Sequence, residues 1–513
     1  MSEKSLVRTR LTQGVLANIV GRPVQLVIEL AASVLVARFL GPGLLATLVA
    51  IRALAGVANA VGDFGLTGSI SKIVPDLSAH HGPREALRAV QKLTLLRLVA
   101  VPLVGLAGFA LTRFGWIDIG DIELSWMMAA AGISLGTLQM VNGSRRYVIL
   151  AALRLRDILV LDVLASLFGP TANLAAAILT RDPLVVALTS LASEALVCLA
   201  LHLWLGYDLD AADSRAGAAV SLRALVRRYG TFIAMSYAKF VFNRVVLRNP
   251  MLLVILGLLG ASTTEIGNAA ISLSLAFQAW EVANIPLAQM RAPLLARFHA
   301  RQDRAGLEKL EAASVSIVTM SSCLLAVAAM AGAEPLVATV YGPAYADAAR
   351  WTAIACATGL LANVVSLGNN TLQQLENYRP QVLAMVAALA CIATGLILLL
   401  RSGLSIEPAL AALLLIVLTR AVFWLITDLQ ADRLVFGWAH SATKLRGVLA
   451  ALPALALGAW LDADTLAGGL IGAAAMALLF LALFRAIGGI GAPARELLRG
   501  ALPARLAPLV ALI

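Results

Sequence analysis

Five polar residues, Asn18, Arg22, Gln25, Glu29 and Ser33, recur at steps of three and four along a segment that is otherwise almost entirely apolar. On a helix that spacing places them on one face, as a single stripe of donors, acceptors and charge. A second apolar segment repeats the pattern with Arg52, Gly56, Asn59 and Asp63. A third carries Lys239, Asn243, Arg244 and Arg248, and a fourth Gln278, Glu281 and Asn284. The chemistry open to such stripes is ionic. Arg and Lys hold phosphate oxygens, Arg through two parallel N–H donors, so Arg22, Arg52, Lys239, Arg244 and the neighbouring Asn243 are candidates for binding an anionic group. The acids Glu29, Asp63 and Glu281 are candidates for carrying a proton or Na⁺. The same charges can instead pair among themselves, Arg22 with Glu29 or Arg52 with Asp63. Those partners are too far apart along one helix to touch, so such pairs have to join different helices.

Farther along, Asn363, Ser366, Asn370, Gln373 and Asn377 form another stripe at helical spacing. Its amides either solvate a polar substrate, with Asn363 and Asn370 at its centre, or hydrogen-bond to neighbouring helices. Arg420 and Trp424 sit one turn apart, and Asp162 and Glu194 stand alone in apolar surroundings, where interhelical pairing is the expectation. Motifs of soluble enzymes are missing. There is no phosphate-binding glycine loop for ATP, no dinucleotide fingerprint and no HExxH, so no catalytic residue is assigned. Cys198, Cys323, Cys356 and Cys391 lie in apolar runs without CxxC spacing and read as packing residues. His80 and His81 are adjacent but lack further ligands at suitable spacing, so neither a metal nor another cofactor is expected.

Residues of this kind need an apolar frame to hold them, and the composition supplies one. The chain has 513 residues, of which 60% are hydrophobic and only 13% charged, about half the charge of a soluble domain. Mean hydropathy is +0.88. This excludes a soluble enzyme, a disordered chain and a nucleic-acid binder, and leaves an all-α integral membrane protein. A helical span needs about 20 apolar residues. By that measure about fourteen spans are expected, near 15–37, 44–66, 93–112, 125–142, 158–179, 184–206, 230–257, 266–289, 313–333, 350–372, 381–400, 408–427, 447–461 and 466–484.

The connectors carry a charge asymmetry. Lys and Arg crowd alternate connectors, including 67–92, 207–229, 290–312 and 428–446, whereas the others hold only Arg38, Arg113, Arg181, Arg248, Arg350 and Arg401. By the positive-inside rule the crowded side is the cytoplasm, and both termini face it. The expected layout is a cytoplasmic N-terminus at 1–14, an N-terminal lobe at 15–206, a cytoplasmic linker at 207–229, a C-terminal lobe at 230–427, a further helix pair at 447–484 and a basic cytoplasmic tail at 485–513. The first apolar segment lacks a cleavage site, which argues for a retained N-terminus. The tail mixes Pro, Arg and Leu and reads as an interfacial helix on anionic membrane lipid. A diffuse repeat relates the halves: Leu40-Gly41-Pro42 and Leu259-Gly260-Ala261 each lead into an apolar helix that closes on a polar residue, Asp63 or Asn284.

The run ARFLGPGLLATLVAIRALAGVANAVGDFGLTGSISKIVPD at 37–76 resembles the N-terminal signature of polysaccharide export proteins in the multidrug/oligosaccharidyl-lipid/polysaccharide exporter superfamily. EPLVATVYGPAYADAARW at 334–351 is similar to a turn that recurs in their C-terminal lobe. The resemblance implies two pseudo-symmetric six-helix lobes around a central cavity that opens alternately to either side, plus a C-terminal helix pair. It also implies a flippase of the bacterial inner membrane that moves a polyprenyl-pyrophosphate-linked oligosaccharide for surface polysaccharide synthesis, with H⁺ or Na⁺ coupling and with a polymerase or glycosyltransferases as partners. In such proteins the first, second, seventh and eighth helices line the cavity, and these carry the charged stripes. Two alternatives stand beside this reading: a drug/cation antiporter of the same superfamily, which the basic stripes would repel, and a membrane glycosyl-polymerase or ligase, which would need a large outer loop.

Overall fold

The computed structural model describes residues 3–66, 83–114, 121–151, 155–210, 222–284, 302–401, 407–436, 440–461 and 465–491, with isolated positions between them. The side chain of Arg22, residues 211–221 of the expected linker, His80 and His81, and most of the expected tail lie outside the described residues. Among the described residues the secondary structure is helical, apart from one isolated bridge between Ile119 and Asp121. The helices are α1 (Glu3–Gly62), α2 (Pro83–Arg113), α3 (Trp126–Ala151), α4 (Leu155–Thr180), α5 (Pro183–Asp210), α6 (Leu222–Val241), α7 (Asn249–Leu258), α8 (Thr263–Asn284), α9 (Arg304–Tyr341), α10 (Ala346–Asn363), α11 (Leu367–Gln374), α12 (Arg379–Arg401), α13 (Pro408–Ala431), α14 (Ser441–Trp460) and α15 (Leu466–Ala486).

Each expected span falls on described helix, 230–257 and 350–372 on a bent pair each, with 285–289 of the eighth outside the described residues. Eight described helices are long and apolar enough to cross a membrane, and the number reaches ten if each of two bent pairs counts as one span. The difference from about fourteen has identifiable causes. α1 holds two expected spans, separated at Gly41, whose φ of 74° and ψ of 167° lie in a region open essentially only to glycine. α2, α3 and α8 carry buried or half-buried polar groups such as Arg97, Asn142, Arg145 and Asn268, which lower their hydropathy. The chain is a multi-pass membrane protein.

The described residues form two compact units, Met1–Gly267 and Asn268–Ile513. In the first unit α1 packs along α2, α3, α4 and α5, while α3 and α4 both pack on α5. Small residues permit this: Ala46, Ala50, Ala55, Ala58 and Ala60 are buried on α1, and close helix approach in lipid depends on such positions. In the second unit α9 is the central element, packed by α10, α14 and α15, while α13 is packed by α10, α11 and α12. Its core gathers Val315, Ile317, Val318, Cys323 and Val327 of α9 with Ala450, Ala451 and Ala454 of α14 and Phe480 and Phe484 of α15.

Two spans are broken partway. After α6 the chain widens into a π-helical turn, Phe242–Val246, and α7 leaves at 47°. Arg248 is extended there and Pro250 opens α7, so the break follows from a residue that cannot continue the hydrogen-bond ladder. α10 and α11 meet at 44° around 364–366.

Candidate functional site

The two breaks hold residues singled out from spacing. Asn243 and Arg244 lie in the π turn, and Asn363 and Asn370 flank the α10–α11 bend. Single π turns inside helices are frequently functional, because they displace side chains from the regular register. Here the Asn243 amide donates to the Lys239 carbonyl at 2.9 Å. Arg244 is exposed, with its guanidinium 5.6 Å from the Phe240 ring, and Lys239 is half-buried one turn earlier. On α1, Arg52 is also exposed, between buried Ile51 and Ala53. Arg22 lies on α1, and its side chain is outside the described residues.

The acids of the same unit are engaged by neighbours. Asp63 is fully buried and pairs with Arg97 of α2 at 3.2 Å, while Arg97 also donates to Ser144 of α3 at 2.7 Å. The partner of Asp63 is therefore Arg97 rather than Arg52, because the turn after α1 carries the acid to α2. Glu29 accepts from Gln25 and from Ser166 of α4, both at 2.8 Å. Glu194 accepts from Asn142 at 2.6 Å, and Asp162 pairs with Arg146 at 3.0 Å, so both isolated acids join helices as expected. The turn after α1 docks closely on α6: Tyr237 donates to the Val61 carbonyl at 3.0 Å, and a Cβ on Gly65 would come within 2.2 Å of the Ile233 carbonyl oxygen.

In the second unit Asn363 is fully buried, donating to Ser322 of α9 at 2.9 Å and accepting from Asn284 of α8 at 3.0 Å. Asn370 and Glu281 are exposed. Nearby on α13, Arg420 is surrounded by rings: its guanidinium carbon lies 4.5 Å from the Phe277 centroid and 4.4 Å from those of Trp280 and Trp424. Three faces around one cation offset part of its desolvation. The Arg420–Trp424 spacing foreshadowed one of these rings, and the two contributed by α8 were missed. Sequence reading also assigned Arg291 and Lys444 to solvated loops, whereas both are buried in ion pairs. Arg291 donates to Glu311 at 2.7 Å and to Thr371, and Lys444 lies 2.5 Å from Asp428 and 2.9 Å from Asp432.

Solved structures with the same architecture exist. A lipid II flippase MurJ in an inward-closed conformation superposes with a TM-score of 0.58 at 12% identity, covering 92% of this chain and 99% of that one. An outward-facing multidrug resistance MATE transporter gives 0.55 at 15% identity, over 85% and 96%. The fold is that of the MOP transporters. A MOP superfamily transporter from Pyrococcus furiosus, described by a reversed polarity of its binding pocket, gives 0.54 at 14% identity, over 85% and 96%. No family model matches the chain, and no curated protein matches it either. The MOP fold therefore rests on architecture, and the substrate has to be argued from the residues this chain brings to that fold.

Proposed function

We propose that the chain is a flippase that moves a polyprenyl-pyrophosphate-linked oligosaccharide across the bacterial inner membrane by alternating access, with both termini cytoplasmic. The observation that carries this reading is the placement of charge in the first unit, with basic side chains on α1, α6 and the π turn and acids held by other side chains. Arg52 and Arg244 are exposed and Lys239 is half-buried, while Asp63 and Glu29 are engaged by Arg97, Gln25 and Ser166. A diphosphate offers enough negative charge to offset the cost of holding those cations in a span. Asn243 beside Arg244 supplies an amide whose oxygen can accept from a sugar hydroxyl, its N–H being given to the Lys239 carbonyl. Asn363, committed to Ser322 and Asn284, fixes the bend. The likeness to a lipid II flippase supports a lipid-linked substrate, and a polymerase or glycosyltransferases would then act on either side of the transport step. Transport, not catalysis, is the activity.

A drug/cation antiporter is the second reading, favoured by the likeness to a MATE transporter. It needs an acid to bind a cationic drug, and in the first unit Asp63 and Glu29 are engaged by other side chains. Purified protein in liposomes separates the two readings. A fluorescent polyprenyl-pyrophosphate oligosaccharide should cross between leaflets without nucleotide, and a lipophilic cation should not accumulate. The opposite pattern would favour the antiporter.

A further inference from the structure

A second ionic cluster lies wholly within the second unit, apart from the stripes considered above. Lys444 of α14 reaches between two carboxylates, Asp428 of α13 at 2.5 Å and Asp432 at 2.9 Å, the latter in a second π turn, Asp432–Phe436, that ends α13. Ser441 donates to the same Asp432 oxygen at 2.7 Å. Against them stand Glu311 of α9 and Arg291, paired at 2.7 Å and bridged by Thr371 of α11. Arg291, Glu311, Asp428, Asp432 and Lys444 are each less than a tenth exposed. Three carboxylates thus share two cations among buried side chains, so with every acid ionised the cluster holds one surplus negative charge.

His440 stands immediately before α14, its carbonyl accepting from the Lys444 backbone N–H at 3.3 Å. It is 8% exposed, its ring lies 5.1 Å from that of Phe436, and its Nε2 has no hydrogen-bond partner among the described residues. The charges acting on it are Glu308 and Glu311 of α9, Asp432 of the π turn and Lys444 of α14. An imidazole nitrogen left without a partner in a buried ionic cluster is equipped to take a proton and pass it on.

We propose that this cluster is a binding site for one exchangeable proton, held on the Asp428/Asp432 pair around Lys444, with His440 as its relay to water. In the uptake step a hydronium ion at the cluster's edge gives a proton to the imidazole: its O–H bond breaks, an N–H bond forms and neutral water is left. The imidazolium then gives its proton to a carboxylate oxygen, so an O–H bond forms and the imidazole returns to neutral. No electron changes hands. The ligand is a proton and not a metal ion, because the Lys444 ammonium already fills the space between the two carboxylates. The site takes up the ion-coupling role that Glu29, Asp63 and Glu281 were expected to fill, and it depends on nothing said above about substrate.

Infrared difference spectroscopy of the full chain in lipid nanodiscs, between an alkaline and an acidic buffer, reads the proton directly. Wild type should show the C=O stretch of a protonated carboxyl in the acidic form, and labelling with carbon-13 aspartate should shift it. Asp428→Asn alone, or Asp432→Asn alone, leaves two carboxylates against two cations, so either variant should lose the band. His440→Gln should keep the band but slow its appearance after a pH jump by tenfold or more. A wild-type protein without the band, a band unmoved by labelled aspartate, or one that survives both Asn variants would overturn the site, and an unchanged rate in His440→Gln would overturn the relay. Because no lipid-linked glycan is present, these outcomes are independent of the flippase reading.

Discussion

Asp63 is a residue whose worth can be measured by removing its partner. It is fully buried against Arg97, and leaving one member of a buried pair uncompensated costs about 3–5 kcal/mol, whereas replacing both by apolar groups is often neutral. Arg97→Leu should therefore lower the thermal midpoint in detergent sharply, and Asp63→Leu added to it should recover much of the loss; a single variant as stable as wild type would show the pair to be dispensable. His440 gives a pH dependence. Burial, opposed by Glu311 and Asp432, holds its imidazole below the ordinary value, so the unfolded chain binds a proton at a pH where the folded chain does not. Stability is then full above about 6.5 and declines as pH falls toward the folded value. His440→Gln should flatten that decline, and a decline of the same slope in the variant would assign it elsewhere.

At the scale of elements, the local signals gave more than the long-range ones. Leu40-Gly41-Pro42 was readable as a division between two spans because glycine and proline punctuate helices, and the backbone at Gly41 bears this out. The π turn at Phe242–Val246 gave no advance sign, since Lys239 and Asn243, like Arg244 and Arg248, keep the four-residue spacing of an ordinary helix through it. Partners were still harder to read: Arg97 for Asp63, Ser166 for Glu29 and the rings around Arg420 are chosen by packing between distant helices, which spacing along one helix does not encode. For the same reason Arg291 and Lys444 looked like loop cations. The docking of the α1 turn on α6 is testable at Gly65, whose φ of 70° and close carbonyl neighbour exclude a side chain. Gly65→Ala should cost about 1–3 kcal/mol by overpacking, measured as a lower thermal midpoint, and an unchanged midpoint would mean the contact is loose.

For the molecule as a whole, alternation of loop charge makes a topological prediction. Reporter fusions at Gly82, Gly217 and Gln302 should sit in the cytoplasm and those at Gly120 and Pro343 outside it, and one fusion on the wrong side breaks the expected order of spans. The central claim is that Arg52, Lys239 and Arg244 hold the pyrophosphate of a lipid carrier. Each lost contact to a charged group is worth about 1.5–3 kcal/mol, or roughly ten- to 150-fold in rate. The most direct test is the rate at which purified, reconstituted protein flips a polyprenyl-pyrophosphate oligosaccharide, compared between wild type, Arg244→Ala and Arg244→Lys. The account predicts a loss of at least about tenfold for Ala and a partial retention for Lys, which keeps the charge without the paired donors, with all three proteins inserting equally. Flipping at the wild-type rate by Arg244→Ala would contradict it.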